Sequence, residues 1–302
     1  MSNLSAPAQH SEQSPQASAG ARSKDELATE LAHWGVPSAN DLVAELRSYL
    51  PDCDGELVRA AYAYASRHHQ GQMRRSGAPY FEHPVAVSRL VIKLRLDQAS
   101  VVAGLLHDVV EDTDVTVEDI ARLFNRDIAQ IVDGVTKLDK IPFTRREQKQ
   151  AENFRKMLVA MSKDIRVLLI KLADRLHNMS TLEHMRKAKQ RRIALETIEI
   201  YAPLANRLGI NWMKSELEDY CFRYLYPSDY ASLGDQIGRQ QRDRERYVHR
   251  VVEILSEELK SSSMVEFKVT GRPKHLFGIY RKMQQQNLPY EQIYDAQGFR
   301  VH

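Results

Sequence analysis

The segment GLLHDVVEDT, residues 104–113, places four ionisable side chains directly after an apolar run. They form two adjacent pairs one helical turn apart, His107 with Asp108 and Glu111 with Asp112. On a continuous helix, His107 shares a face with Glu111, and Asp108 shares one with Asp112. Such groups are costly to bury beside apolar residues unless they have a partner. That partner is water at a solvated helix end, an ion pair or a metal ion.

Two further segments supply residues of the same kind. His83 stands beside Pro84 in PYFEHPVAV, and Asp174 follows an apolar run in LLIKLADRLHNMSTL. Taken singly, a histidine is more often a surface or core residue than a ligand, and an aspartate can pair with a neighbour such as Arg175. Together the segments offer two imidazoles and two carboxylates, which suit a divalent ion such as Mn²⁺ better than Zn²⁺. The candidate metal ligands are His83, His107, Asp108 and Asp174.

The second acidic pair predicts a role for such a metal. Glu111 and Asp112 lie one turn beyond the doublet His107–Asp108, where a carboxylate can accept a proton from water. A bound metal lowers the pKa of water by several units, and a nearby carboxylate completes general-base activation. This combination is typical of phosphoester or pyrophosphate-ester hydrolysis. Glu111 and Asp112 are therefore the candidate catalytic residues.

The order of these residues, a histidine, an HD doublet and a distant aspartate, resembles the HD phosphohydrolase superfamily. The stretches RRSGAPYFEHP, LLHDVVEDT and KLADRLHNMSTL are similar to the hydrolase domain of the Rel/SpoT family, and the resemblance runs from about Leu27 to Val301. It implies Mn²⁺-dependent removal of the 3′-pyrophosphate from (p)ppGpp, giving GDP or GTP and pyrophosphate.

The resemblance also assigns roles position by position. It implies that Arg74 packs against the guanine, that Arg75 and Ser76 continue the same loop, and that Asn178 and Thr181 line the nucleotide site. An arginine can stack on a purine and attract phosphate, although a solvated loop is the ordinary interpretation of two loop arginines. His177 and His184 are spare histidines near the last ligand. A second metal is therefore an alternative to the single metal that we expect.

The C-terminal stretches VTGRPKHLFGIYRKM and QIYDAQGFRV resemble the opening of a (p)ppGpp synthetase domain. The resemblance implies that basic residues grip ATP phosphates and that an aspartate binds metal; the alternative is a solvated basic helix face. We expect an incomplete domain without synthetase activity. Two hypotheses compete with the hydrolase: a synthetase and a non-catalytic nucleotide-binding module. The vestigial synthetase-site residues are Arg272, Lys274, Arg281, Lys282 and Asp295.

Apolar residues recur at three- and four-residue steps over most of the chain, which predicts a mainly α protein. We expect an all-helical HD-type hydrolase, a helical bridge, and the first strands of a mixed α/β domain. The predicted bounds are 1–24 for a disordered tail, 25–190 for the hydrolase domain, 191–245 for the helical bridge and 246–302 for the start of the synthetase domain.

Composition excludes several classes of protein. A formal net charge of +3 over 302 residues gives no support for nucleic-acid binding. The two cysteines, Cys53 and Cys221, lack the neighbours of a zinc or redox motif. No apolar run approaches a membrane span, and no signal peptide follows Met1. We therefore expect a cytoplasmic protein with no membrane partner and an undetermined oligomeric state.

Overall fold

The computed structural model describes residues 29, 31–139, 164–239, 241–261, 269–293 and 297–301. Fourteen α-helices and two strands are assigned within these residues. The helices are α1 Ala39–Arg47, α2 Gly55–His68, α3 Glu82–Lys93, α4 Gln98–Leu106, α5 Val109–Asp112, α6 Val117–Leu123, α7 Arg126–Asp139, α8 Ile165–Ser180, α9 Lys187–Glu196, α10 Ala202–Arg207, α11 Asn211–Leu225, α12 Pro227–Arg239, α13 Gln241–Ser261 and α14 Leu276–Gln286. The strands are β1 Val269–Pro273 and β2 Gln297–Val301. The expected mainly α class is confirmed.

Shorter helical turns complete the described part of the chain. Leu182–His184 and Tyr290–Gln292 are 3₁₀ turns, and Thr197–Tyr201 is a π-helical turn that joins α9 to α10. None of the helices within the described residues has the length and hydrophobicity needed to span a bilayer. The sequence also predicts a loop at residues 142–146 and, from its apolar spacing, a helix at residues 153–161; both lie outside the described residues.

Helix starts follow local sequence rules. Thr116 caps α6 through its side chain, which accepts from the Asp119 amide at 3.2 Å, while the Asp119 carboxylate accepts from the Thr116 amide at 3.2 Å. This capping box satisfies donors that the first helical turn leaves unpaired. Asp164 caps α8 in a simpler way, by accepting from the Arg166 amide at 2.9 Å.

Helix α8 lies between two hydrophobic cores, and this position determines where its polar residues lie. Val167, Ile170 and Ala173 face the first core, formed mainly by α1 to α7. On another side of α8, a row of apolar residues enters a second core with α9 to α11: Leu168, Leu172, Leu176 and Met179. A helix apolar on more than one face is buried, so a polar residue on it needs a partner.

Gly104 allows α3 and α4 to lie close together. A Cβ at this position would be 2.9 Å from Ser88 Oγ and 3.4 Å from Ser88 Cα. Since α3 carries His83 and α4 leads into His107, this close approach brings the two rings to a centroid distance of 5.2 Å. The residues of α4 from Ser100 to Leu106 are all buried.

The structure corrects the expectation of one continuous helix through the first motif. Helix α4 ends at Leu106, a turn covers His107 and Asp108, and α5 begins at Val109. Adjacent residues on a regular helix point about 100° apart. The turn instead allows both members of the doublet to face one site.

Arg166 joins the starts of three helices. Its guanidinium contacts Asp164 at the start of α8, Asp97 at the start of α4 and Asp127 in α7, at 2.7, 2.8 and 2.6 Å. Hydrogen bonds from Arg166 outweigh partial burial and hold the pKa of Asp164 below its usual value. The network fixes one end of α8 relative to α4 and α7.

Near the C-terminus, β1 and β2 pair antiparallel, with Val269 opposite Val301 and Pro273 opposite Gln297. Helix α14 lies between them in the chain and packs on α11 and α12 through a small apolar cluster: Phe222, Leu233, Ile279, Tyr290 and Ile293. The Asp219 carboxylate of α11 accepts from the Leu276 and Phe277 amides at 3.2 and 2.8 Å. A side chain from α11 therefore caps the start of α14.

Candidate metal centre

The structure brings His83, His107 and Asp174 together in a buried cluster. One ligand atom from each lies within 4.8 Å of the others, and all three residues are less than 5% exposed. His83 Nε2 is 3.2 Å from Asp174 Oδ1 and 3.5 Å from Asp108 Oδ2. His107 Nε2 is 3.1 Å from Asp108 Oδ1. The four candidate ligands thus share one site, although they come from α3, the α4–α5 turn and α8.

Hydrogen bonds on the far side of each imidazole determine which nitrogen faces the site. His107 Nδ1 is 2.8 Å from the Gly104 carbonyl, which can only accept, so Nδ1 carries the hydrogen. His107 Nε2 therefore faces the site, and it is buried without a hydrogen-bond partner. This arrangement is typical of a histidine that ligates a metal.

His83 has the same orientation for a different reason. Its Nδ1 is 2.7 Å from His177 Nδ1, and Arg74 Nη1 is 3.3 Å from that same His177 atom. An arginine only donates, so His177 Nδ1 accepts and His83 Nδ1 carries the hydrogen. His83 Nε2 therefore faces the two carboxylates. Burial, together with His83 and Arg74, lowers the pKa of His177 to about 3, which keeps His177 neutral.

The two carboxylates remain ionised despite their burial. Burial raises the pKa of Asp108, but its contacts with His107 and His83 outweigh that effect and hold the pKa below its usual value. Burial likewise raises the pKa of Asp174, whereas Lys171 and His83 hold it well below its usual value. Lys171 Nζ lies 2.5 Å from Asp174 Oδ2, with both side chains less than 10% exposed. The site thus offers charged oxygen ligands beside imidazole nitrogens.

Lys171, rather than Arg175, is the partner of Asp174. Arg175 points away and contacts Glu196 Oε1 at 2.6 Å, with its guanidinium 4.1 Å from the centroid of the Tyr201 ring. A lysine inside the apolar run LLIKLAD was the signal for this pair, because a charged residue there requires a buried partner.

The predicted nucleotide-binding residues of α8 lie beside this cluster. Arg74 Nη2 donates to Thr181 Oγ1 at 3.1 Å and to Asn178 Oδ1 at 3.4 Å. Asn178 Nδ2 in turn donates to Asp174 Oδ1 at 2.5 Å. One hydrogen-bonded chain therefore leads from the loop arginine to a candidate metal ligand.

A tight loop carries Arg74 to this position. The Arg74 amide donates to the Ala78 carbonyl at 2.8 Å, the Gly77 amide donates back to the Arg74 carbonyl at 3.0 Å, and Gly77 has a φ of 84°. A positive φ of this kind favours glycine. Arg75 and Ser76 lie exposed on the outside of the loop. The structure thus separates them from Arg74, which turns inward.

Glu111 and Asp112 line an open cavity of about 940 Å³ whose lining does not include the four candidate ligands. Tyr80, a residue of the PYFEHP stretch for which the sequence predicted no role, connects this cavity to the ligands. Its hydroxyl is 2.8 Å from Asp108 Oδ2 and 2.6 Å from Asp112 Oδ2. Burial and the nearby carboxylates raise the pKa of Tyr80, so its hydroxyl keeps its hydrogen. The signal for Tyr80 was a polar aromatic residue three positions before His83.

The remaining predicted residues lie near the C-terminus. Lys274, Arg281 and Lys282 line a second cavity of about 810 Å³ together with α11 residues, including Lys214. Arg272 lies in β1. Asp295 lies outside the described residues.

The two spare histidines have other surroundings. His177 accepts from His83, and His184 is partly exposed with Nε2 3.6 Å from Glu183 Oε1. Within the described ranges, one cluster, that of His83, His107 and Asp174, has the spacing of a metal site.

Comparison with known proteins places this geometry in a class. The HD domain family matches residues 61–211, which is half of the chain and includes the four candidate ligands. The chain therefore belongs to the HD domain family. An HD hydrolase domain implies a divalent metal site, and the buried imidazole nitrogens and carboxylates fit one.

Longer relatives narrow the class. The chain is 48% identical to a GTP pyrophosphokinase of Myxococcus xanthus over 84% of its own length and 34% of the relative. It is 49% identical to a probable guanosine-3′,5′-bis(diphosphate) 3′-pyrophosphohydrolase of Synechocystis over 83% of its own length and 33% of that relative. It is 44% identical to the bifunctional (p)ppGpp synthase/hydrolase SpoT of Escherichia coli over 87% of its own length and 37% of that relative. The chain spans about a third of the length of these curated relatives, and the expected membership of the Rel/SpoT family is confirmed.

Proposed function

We propose that this protein hydrolyses the 3′-pyrophosphate of (p)ppGpp, giving GDP or GTP and pyrophosphate, with Mn²⁺ as its cofactor. The observation that carries the proposal is the buried cluster in which His83 and His107 turn their Nε2 atoms toward two ionised carboxylates. A mixed nitrogen and oxygen donor set suits Mn²⁺. Two of the compared relatives are named as enzymes that hydrolyse this nucleotide or both make and hydrolyse it.

In the proposed reaction, water attacks the phosphorus attached to the 3′ oxygen. A new P–O bond forms to the water oxygen, the bond to the 3′ oxygen breaks, and pyrophosphate leaves while the 3′ oxygen gains a proton. A divalent cation supplies Lewis-acid activation of water when it is bound. Asp112, which shares the Tyr80 hydroxyl with Asp108, and Glu111 beside it accept the proton that the attacking water loses.

The same site offers contacts for the nucleotide. Arg74 is held by its contacts with Asn178 and Thr181, next to the metal ligands. A fixed guanidinium provides a flat surface for a purine and a positive charge for phosphate. We propose that Arg74 packs against the guanine and that Asn178 and Thr181 line the nucleotide site. The exposed Arg75 and Ser76 are placed to contact its outer parts.

The test measures GDP and pyrophosphate release from ppGpp by the purified chain in Mn²⁺, in Mg²⁺ and in EDTA. We expect Mn²⁺-dependent release that is lost in His107→Ala together with metal binding. Glu111→Gln should slow turnover by about 10²-fold or more while the metal stays bound. His249→Ala, which changes an exposed histidine on α13, is the matched control and should behave like the wild type.

Two results would overturn the assignment. Wild-type Mn²⁺ affinity in His107→Ala would remove this residue from the ligand set. A folded, metal-loaded protein that releases no pyrophosphate from ppGpp would favour the non-catalytic binding module instead.

A second candidate is (p)ppGpp synthesis from ATP and GTP. It is favoured by the basic cavity that Lys274, Arg281 and Lys282 line and by the relative named a GTP pyrophosphokinase. The two functions separate cleanly, because synthesis consumes ATP and forms (p)ppGpp, whereas hydrolysis consumes (p)ppGpp. Product formation from ATP and GTP that survives His107→Ala and is lost in Lys274→Ala would establish the synthetase.

A further inference from the structure

Tyr80 occupies the space between a candidate metal ligand and a candidate base. It follows the loop that carries Arg74 and precedes α3. Its hydroxyl lies 2.8 Å from Asp108 Oδ2 and 2.6 Å from Asp112 Oδ2. A phenol has one hydrogen, so the hydroxyl is a donor shared between two acceptors. The proposed metal and nucleotide contacts do not involve Tyr80.

The surroundings of Tyr80 fix its ring. His69 is 2% exposed and stacks on the Tyr80 ring, with a centroid distance of 4.9 Å and an interplanar angle of 29°. His69 Nδ1 is 2.8 Å from Gln72 Oε1. The Tyr80 amide donates to the Gln72 carbonyl at 2.9 Å. Both the ring and the backbone of Tyr80 are thus held by the end of α2 and the loop that follows it.

Asp112, by contrast, has little restraint from its own helix. It is the last residue of α5, a helix of only four residues, and its side chain is exposed in the open cavity. A side chain in such a position can adopt several rotamers. The contacts that the structure gives it from outside α5 are the Tyr80 hydroxyl and a donation from Gln72 Nε2 to its carbonyl at 3.5 Å.

We propose that Tyr80 is a positioning residue that holds the Asp112 carboxylate beside Asp108, so that the base faces the reacting phosphorus. The inference rests on the proposed hydrolase function and adds one residue to it. Its force comes from geometry, because a phenol held through its ring and its backbone joins a candidate ligand to a carboxylate at the exposed end of a short helix. Misplacing a reacting group by about 1 Å costs up to about 10²-fold in rate.

The first experiment replaces Tyr80 with phenylalanine, which keeps the ring on His69 and removes only the hydroxyl. We expect kcat for ppGpp in Mn²⁺ to fall by about 10- to 100-fold, while KM changes by less than about twofold. Tyr49→Phe is the matched control, since it removes a phenolic hydrogen bond of 2.7 Å to the Leu96 carbonyl away from this cluster. An unchanged kcat in Tyr80→Phe, or a raised KM with unchanged kcat, would overturn the proposal.

A double-mutant cycle with Asp112→Asn tests whether Tyr80 acts through Asp112. If it does, adding Tyr80→Phe to Asp112→Asn should lower kcat by less than about twofold further. If the fold-changes in kcat of the two single variants multiplied in the double variant, Tyr80 would act elsewhere.

A second cycle measures urea unfolding in EDTA of the wild type, Tyr80→Phe, Asp112→Asn and the double variant. We expect the two substitutions to be non-additive, because the residues touch. Additive unfolding free energies would overturn the Tyr80–Asp112 contact. This readout does not need turnover. A wild type that is inactive on ppGpp would therefore refute the proposed function, whereas the unfolding cycle would still decide the coupling of Tyr80.

Discussion

The pair formed by Lys171 and Asp174 allows a prediction whose magnitude follows from burial. Lys171→Met keeps an unbranched side chain of similar length in α8 and removes the charge beside Asp174. The two side chains are 7% and 6% exposed, so water cannot replace the lost ammonium group. Asp174 keeps its contacts with His83 and Asn178.

Breaking a buried ion pair by removing one partner costs about 3–5 kcal/mol, because the remaining charge is left without compensation. The two remaining contacts of Asp174 favour the lower end, about 3 kcal/mol. The sign with pH follows from the lowered pKa of Asp174. Such a carboxylate stabilises the fold above its unfolded pKa of about 3.9, and this contribution is lost as the pH falls through its folded value. The effect of Lys171→Met is therefore largest near neutral pH and shrinks in acid.

The assay is urea unfolding at pH 7 in EDTA, followed by helical circular dichroism. With an m-value of about 3 kcal/mol/M, the midpoint should fall by about 1 M. Lys137→Met is the matched control, because Lys137 also lies 2.5 Å from a carboxylate, that of Asp133, but is 73% exposed. An exposed pair contributes at most about 0.5 kcal/mol. Equal midpoint shifts for the two variants would refute the argument from burial.

Three more substitutions test other parts of the structure. Gly104→Val should destabilise the fold by about 1–3 kcal/mol, because the new side chain meets Ser88 and separates the helices that carry the two ligand histidines. The same separation should weaken Mn²⁺ binding, which calorimetric titration measures. Arg166→Met should lower the free energy of unfolding by about 1 kcal/mol at pH 7 in low salt. The loss should be smaller in high salt, and smaller as the pH falls through the lowered pKa of Asp164; unfolding at several salt concentrations and pH values measures both. Arg74→Lys should raise KM for ppGpp more than it lowers kcat, since an ammonium group cannot make the forked contacts, and steady-state kinetics that showed the reverse would contradict this role.

The helical class and the identity of the site residues were readable from the sequence for physical reasons. Apolar residues at three- and four-residue steps require helices with a buried face. Polar residues such as His107 and Asp174 at the ends of apolar runs require partners, so they stand out from the pattern of residue types alone. Thr116 and Asp119 likewise predict a helix start, and the structure has one there.

Other features depended on contacts that no local pattern encodes. Periodicity predicted one helix through His107 and Asp108, but in the structure α4 ends at Leu106 and both side chains face one site. The Lys171–Asp174 pair lies within one helix, but its burial comes from the position of α8 between two cores.

The sequence by itself determined which side chains are available for chemistry, because residue type fixes donor, acceptor and charge. Only the tertiary structure decided which atoms of those side chains face each other. The pair of His177 and Arg74 orients His83, with His177 lying 94 positions along the chain from His83, and Tyr80 reaches Asp112 across 32 positions. These orientations come from long-range packing of α2, α3 and α8, and such packing leaves no trace in the spacing of residues along the chain.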